Sequence, residues 1–197
     1  MKKVFVAALS LVLLTQAVNA QKGSVLLYGN LAVKSDKDAS NSKSSSYSVT
    51  PGIGYQFADE WTAGINLGIN GSKDEIGTSG NYNKTSGFLA GPFVRYTKSL
   101  GSIFSIFGHA NFNYSSTKYK PFVGTSTTVN GFDINLFPAV GVNVSNGFAL
   151  NFGFGGIDYT TAKADVSGAN SSSSFSLTFG QQVNVGISKN FGPSKRK

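Results

Sequence analysis

The residues that could do chemistry in this chain centre on a single histidine. His109 is the only histidine among the 197 residues, and Ser105 precedes it by four positions in the segment SIFGHAN. A serine and a histidine can act as the nucleophile and base of a hydrolase when they share a hydrogen bond. On a strand, however, four positions span about 13 Å, which is far beyond hydrogen-bond reach. The spacing therefore predicts that His109 belongs to a polar network and not to a catalytic pair.

Acidic side chains offer little more for binding a metal. Asp36 with Asp38, and Asp74 with Glu75, form two small acidic groups that lack the spacing of an EF-hand loop. We expect them to be solvated loop charges. Cysteine is absent, which excludes thiolate metal sites and disulfides. The sequence thus predicts no catalytic residue, no cofactor-binding residue and no metal ligand.

Alternation of side-chain character predicts that strands carry these residues. The stretch 46–57 reads SYSVTPGIGYQF, with apolar or aromatic residues at odd positions and small or neutral polar residues at even positions. Such a period of two indicates a strand. The period recurs in segments that we predict as eight strands, at 24–34, 45–57, 62–71, 84–97, 103–115, 128–144, 148–160 and 174–191. No helical periodicity follows the first twenty residues, so the chain is predicted to be all-β.

The polar face of these strands indicates what each face contacts. A soluble barrel or sandwich would turn its apolar face inward and show charged residues to water. Here the polar positions hold mainly Gly, Ser, Thr, Asn and Gln, which suit the narrow lumen of an eight-stranded barrel whose apolar face lies in lipid. We therefore predict an eight-stranded antiparallel up-and-down transmembrane β-barrel. Arg95, Asp133 and His109 are ionisable residues that we place on its lumen side, together with the polar residues Gln182 and Asn184 of the last strand.

The connections between the predicted strands alternate in length. Short turns are predicted at 58–60, 99–102 and 145–147, the last with the Asn-Gly pair typical of a tight hairpin. Longer polar connections are predicted at 35–44, 71–83, 116–127 and 161–173. Pro51, Pro92 and Pro138 each remove a backbone donor from a strand, so we expect them at bulges. Gln181 is a polar residue on the lipid side, and the pattern does not explain it.

The two ends of the chain differ from the strands between them. Residues 1–20, MKKVFVAALSLVLLTQAVNA, have the charged start, apolar run and small-residue end of a secretory signal peptide. We assign residues 21–191 to the barrel domain and 192–197, GPSKRK, to a short basic tail. The formal net charge of +8 is spread thinly along the chain and forms no patch for nucleic acid.

With this pattern, the chain resembles the small bacterial outer-membrane β-barrel proteins, the group of outer-membrane protein X and the opacity-type adhesins. The most specific element is the last strand, VNVGISKNF, which is similar to the family's C-terminal assembly signal ending in an aromatic residue, here Phe191. The chain departs from that signal because six residues follow Phe191. The resemblance implies termini in the periplasm, long loops outside the cell and recognition by the barrel assembly machinery.

These features favour a small integral outer-membrane protein with a structural or surface-interaction role. Its lumen would be filled by polar side chains, and its four loops would meet the surroundings. The alternative is a narrow channel or transporter for small or hydrophobic solutes, and a more remote one is a lipid-modifying enzyme. As partners we expect outer-membrane lipid, lipopolysaccharide and, during biogenesis, the assembly machinery, with no cofactor and no nucleic acid. The loop sequences do not identify an extracellular partner.

Overall fold

The structure, a computed structural model, consists of eight strands that follow one another along the chain. It describes residues 22–39, 41–77 and 79–192, except for the side chains of 181–183. The strands are β1 (Val25–Lys37), β2 (Lys43–Gln56), β3 (Trp61–Glu75), β4 (Tyr82–Ser99), β5 (Phe104–Lys120), β6 (Thr127–Ser145), β7 (Phe148–Ala164) and β8 (Ser171–Phe191). Among the described residues, no helix is long and apolar enough to cross a membrane. The prediction of an all-β chain is confirmed.

Each strand pairs antiparallel with the next in sequence, and β8 pairs with β1 to close a barrel. All eight predicted strands are present. Most are longer than predicted at the end remote from the chain termini, where the four connections shrink to 38–42, 76–81, 121–126 and 165–170. The prediction of long loops there is wrong, because Ser-, Asn- and Lys-rich segments continue the hydrogen-bonded ladder as a ribbon.

The three short turns are confirmed at the opposite end of the barrel. The sharpest joins β6 to β7 through Asn146 and Gly147, whose φ angles are 50° and 76°. Two successive positive φ angles define the mirror-image turn that matches the twist of a hairpin, and Asn-Gly is its preferred pair. The chain reverses there in two residues.

The apolar residues of the strands face outward. The exposed fractions of Ile53, Leu67 and Leu136 are 50%, 55% and 48%. Gln56 and Asn66, on the opposite face of their strands, are only 4% and 3% exposed. This distribution inverts that of a soluble protein, whose core is apolar. It rejects a soluble barrel or sandwich and confirms the predicted orientation of the two faces.

The three prolines lie on the outer face at interruptions of the ladder. Pairing with the following strand skips Pro51 and Pro92 without any change of register. At Pro138 the register with β7 shifts, so a bulge forms there. The expectation of a bulge is therefore confirmed at Pro138 and wrong at the other two, where the missing donor breaks the ladder only locally.

The seam between β1 and β8 is short. It contains five residue pairs, from Val25 opposite Phe191 to Gly29 opposite Ile187, whereas β1 and β2 share thirteen. Higher on β8, the pairing with β7 jumps from Asn184 to Phe179, so that residues 180–183 lie opposite one residue of β7. The described residues of β1 and β8 are consequently paired only at the end of the barrel that carries the termini. Gln181, left unexplained above, lies in this bulge, and its side chain is outside the described part.

Candidate functional site

A layer of aromatic rings crosses the lumen around His109. The imidazole is fully buried and lies between the rings of Phe93 and Phe137, with centroid distances of 4.9 Å and 5.0 Å and interplanar angles of 18° and 27°. Tyr28 approaches it edge-on at 5.2 Å. These residues come from β1, β4, β5 and β6, so the layer joins strands on several sides of the barrel. We call Tyr28, Phe93, Arg95, Phe107, His109 and Phe137 the plug.

Arg95 brings a positive charge into the plug. Its side chain is only 6% exposed, and its Nε donates a hydrogen bond of 2.9 Å to Nδ1 of His109. The guanidinium lies 4.2 Å from the ring centroid of Phe107 and 4.9 Å from that of Tyr28, within the range of cation–π attraction. No carboxylate among the described residues forms an ion pair with it. Aromatic faces and a neutral imidazole therefore stabilise this charge.

A series of hydrogen bonds through asparagine side chains connects His109 to the carboxylate of Asp158. Nε2 of His109 is 2.8 Å from Oδ1 of Asn111, whose Nδ2 donates to Asn135 at 3.2 Å. Asn135 in turn donates to Asp158 at 2.6 Å. The bonds cross β5, β6 and β7, so a cation on β4 and an anion on β7 are linked through three neutral side chains. This arrangement satisfies buried polar groups, as a closed interior requires.

A second branch leads from Tyr28 to the same amides. The Tyr28 hydroxyl donates to Oδ1 of Asn66, and it lies 3.1 Å from Nε2 of His109. Asn66 donates from Nδ2 to Oδ1 of Asn111 at 2.7 Å. The polar groups of β1, β3 and β5 are thereby joined across the lumen. No buried side-chain nitrogen or oxygen in the described part lacks a partner.

Glycines on β2 provide space for the rings of the plug. A Cβ atom at Gly52 would lie 2.4 Å from Cε1 of Tyr28, and one at Gly54 would lie 2.6 Å from Cζ of Phe93. Both distances are well inside van der Waals contact. The small residues of the polar face thus accommodate large rings from the nearby strands β1 and β4, and the lumen is filled by unequal side chains.

The sequence placed only part of this network. Arg95 and His109 have the predicted lumen position. Asp133 shares their face, but none of the hydrogen bonds described above reaches it, and Asn184 is exposed beside the unpaired seam. Gln182 lies among the residues whose side chains are not described. The network also uses five residues that were not singled out from the sequence: Tyr28, Asn66, Asn111, Asn135 and Asp158. Each lies at a lumen-facing position of its strand, so the two-residue period was the signal that could have identified them.

The acidic residues considered above as metal ligands form hydrogen bonds and ion pairs with other groups of the protein. Asp36 forms an ion pair of 2.9 Å with Lys34, and Asp38 accepts a bond from the Ser42 amide. Asp74 accepts from the Ser44 hydroxyl at 2.5 Å. Among the described residues, no three His, Cys, Asp or Glu side chains are grouped as a metal site would need. The absence of catalytic, cofactor and metal residues stays a prediction.

A known protein family matches nearly the whole chain. The model of the outer membrane protein beta-barrel domain family matches residues 4–191. A search of curated proteins finds no match. Among solved structures, the translocator domain of the autotransporter NalP from Neisseria meningitidis is 19% identical, with a TM-score of 0.48, covering 100% of this chain and 70% of that one. Neisserial surface protein A is 13% identical, with a TM-score of 0.43, covering 88% and 100%. The outer membrane protein Ail of Yersinia pestis is also 13% identical, with a TM-score of 0.30, covering 87% and 100%.

The family match spans nearly the whole chain and includes every strand. A barrel with an apolar outer wall and a polar lumen is the form in which strands cross a bilayer, because closure satisfies every backbone group that hydrocarbon would leave unpaired. The chain belongs to the outer membrane β-barrel family and is a protein of the bacterial outer membrane.

Proposed function

We propose that the chain is a non-conducting outer-membrane barrel with a structural or surface-interaction role. Residues 1–20 act as its signal peptide, 21–191 form the membrane domain and 192–197 form a periplasmic tail. The four hairpins at the other end reach outside the cell and present polar side chains to the surroundings. The last strand, ending at Phe191, serves as the signal for the barrel assembly machinery, and lipopolysaccharide surrounds the outer half.

The observation that carries this proposal is the plug. An eight-stranded barrel is only just wide enough for side chains to fill it. Phe93, Phe107 and His109 are 2%, 6% and 0% exposed, so that neither water nor solute reaches their side chains freely. An ion crossing this layer would have to displace packed rings and pass a buried guanidinium. These features support a closed lumen.

The same layer argues against an enzyme. Both ring nitrogens of His109 are engaged within the protein, by Arg95 and by Asn111. A nitrogen that accepts a bond from a guanidinium is not available as a general base for a nearby serine. Ser105 lies four residues away on the same strand, as far as strand rise predicts. We therefore propose that the chain does no lipid hydrolysis.

Single-channel recording tests the proposal directly. The full chain, purified from outer membranes and reconstituted in planar bilayers, is expected to give no steady openings above the baseline. A porin reconstituted in the same lipid serves as the positive control. Reproducible conductance steps from the wild-type protein would contradict a closed lumen.

The seam between β1 and β8 favours a second candidate, lateral binding of a hydrophobic solute. Beyond Gly29, the part of β8 that is fully described forms no pairs with β1. A cavity of about 260 Å³ lies at this point and is bordered by Leu27, Leu31, Val49 and Ile187. The lining of this cavity is largely apolar, so it would favour an acyl chain or another apolar solute from the bilayer. Tyr28, a residue of the plug, also lines this cavity.

A fluorescent fatty acid can test this second candidate. Wild-type barrel in micelles is expected to bind the probe, and Leu31→Asp is expected to weaken binding because it places a charge in the cavity wall. Leu67→Asp, on the outer face of β3 away from the seam, is the matched control. Equal loss of binding in both variants, or no binding at all, would remove this candidate.

A further inference from the structure

Four lysines form a cluster on the outer wall at the extracellular ends of β3, β4 and β5. Lys73 is directly opposite Lys84, and Lys84 is directly opposite Lys120. Lys118 precedes Lys120 by two residues and therefore shares its face. Cross-strand neighbours lie about 5 Å apart at Cβ, so three ammonium groups form one row and the fourth lies beside it. We call these residues the lysine row.

The lysine row carries more positive charge than the acids beside it carry negative charge. None of the four ammonium groups forms an ion pair within the described residues. Glu75 shares the outer face, but its carboxylate accepts bonds from the backbone amides of Lys43 and Gly80. Asp74 points to the lumen side. Like charges placed directly opposite on a sheet are destabilising, so this row calls for an anion from outside the chain.

The lysine row borders a groove with an apolar floor. The groove has a volume of about 660 Å³, and Val33, Tyr47 and Gly71 contribute to its lining together with all four lysines. The Tyr47 ring covers Gly71, where a Cβ would lie 2.7 Å from Cε1 of the ring. The floor thus offers apolar surface, while the rim offers positive charge.

The position of the row relative to the lipid-facing residues identifies its occupant. Lys73, Lys84 and Lys118 each lie four residues beyond an exposed apolar residue on the same strand face, Ile69, Phe88 and Tyr114 respectively. Four residues of a tilted strand rise about 10 Å, which carries the ammonium groups from the hydrocarbon edge into the headgroup layer. A soluble polyanion has no apolar part that could pack against the floor of the groove, whereas an anionic lipid has acyl chains.

We propose that the lysine row binds the phosphate groups of the lipid A part of lipopolysaccharide, with an acyl chain lying along the apolar floor. The inference rests on the proposed lipopolysaccharide partner and assigns it a site. Juxtamembrane lysines gain about 1 kcal/mol each from anionic headgroups, which is about fivefold in affinity. Clustered phosphates facing four lysines therefore produce selective binding on this side of the barrel.

Binding of fluorescent lipid A to the purified full chain in micelles tests the site. Lys84→Gln, at the centre of the row, is expected to weaken binding of bisphosphorylated lipid A about fivefold, and the fourfold Lys→Gln variant considerably more. Lys163→Gln is the matched control, because Lys163 is an exposed lysine on the far strand β7. Lys84→Gln and the fourfold variant should still fold, because removing like charges from a row does not destabilise the barrel. A difference in gel migration between boiled and unboiled samples, typical of a folded barrel, checks this.

Other ligands distinguish a site for lipid A phosphates from a general site for anions. Dephosphorylated lipid A should bind wild type and Lys84→Gln equally, while phosphatidylglycerol and inorganic phosphate should compete poorly. Lipid A binding that is insensitive to the lysines would overturn the site and leave the partner standing. No binding of lipid A by wild type would overturn both. Equal lysine dependence for phosphatidylglycerol, or displacement by inorganic phosphate, would replace lipid A by a general anionic ligand and overturn the proposal.

Discussion

Arg95 donates a hydrogen bond of 2.9 Å from Nε to Nδ1 of His109, and both side chains are buried inside the barrel. A guanidinium has donors only, so Nδ1 must be the acceptor and the imidazole is neutral with its proton on Nε2. The N–H at Nε2 then donates to Oδ1 of Asn111 and to the hydroxyl oxygen of Tyr28. One pair of residues thus sets the direction of the hydrogen bonds through the plug.

Removing the histidine should destabilise the barrel. His109→Ala deletes a ring between Phe93 and Phe137 and leaves Nε of Arg95 without an acceptor. Cavity formation and an unsatisfied buried donor together should lower the free energy of unfolding by about 3 kcal/mol. Urea unfolding of the refolded protein, followed by gel mobility, measures the change. Asp133→Asn, a lumen-side variant outside the described network, should change it by less than about 0.5 kcal/mol.

The pair itself should show energetic coupling. In a double-mutant cycle, Arg95→Met and His109→Phe each break the hydrogen bond, whereas the double variant leaves an apolar pair in place. We expect a coupling free energy of about 1–3 kcal/mol from urea unfolding of the four proteins. Additive effects would mean that the bond contributes nothing beyond the separate side chains.

Opening the plug should create conductance. Phe137→Ala with Phe93→Ala removes the two rings that stack on His109, and reconstituted protein is expected to give discrete openings absent from wild type. Leu89→Ala is the control, because Leu89 is on the lumen side near Gly68 and outside the plug. If the double variant folds and stays silent, the plug is not what closes the lumen.

The sequence predicted the fold better than the site because strand period and side-chain type are local signals. Residues such as Ile53, Leu67 and Gln56 reveal their face by parity alone. The contacts of His109 depend instead on register, which places Asn111 opposite Asn135 and brings Phe137 opposite the histidine. Lys84 shows the same limit: it begins the predicted strand 84–97, but it becomes part of a charged row only when β3, β4 and β5 are aligned.

The unpaired seam should be visible in amide exchange. Amides of β1 that point toward β8 should exchange quickly from Asn30 to Ala32 and slowly from Leu26 to Gly29, since the pairs between described residues of the two strands end at Gly29. Hydrogen exchange read by NMR in micelles measures this difference. The interior pair of β4 and β5 provides the reference for full protection. Uniform slow exchange along β1 would mean that β1 and β8 are hydrogen-bonded along their whole length.

The turn between β2 and β3 should titrate at low pH. Hydrogen bonds from Lys98 and Tyr96, each 2.6 Å long, hold the pKa of the Glu60 carboxyl below its usual value. A depressed folded-state pKa adds stability that is present above the unfolded pKa and is lost as the pH falls through the folded pKa. Carboxyl NMR titration should place Glu60 below ordinary glutamates, and Lys98→Met should raise its pKa. An unchanged pKa in that variant would exclude the assigned cause.

The fold and the closed lumen both require that the apolar face of each strand meets lipid. Because the chain has no cysteine, single cysteines placed one at a time from Ala63 to Asn70 on β3 can each carry a spin label without further changes. In bilayers, labels at 65, 67 and 69 should collide with lipid-soluble oxygen, and labels at 64, 66 and 68 should be shielded from it, giving a period of two. Oxygen collisions at the even positions, with labels at Ile65 and Leu67 shielded in a core, would contradict the account.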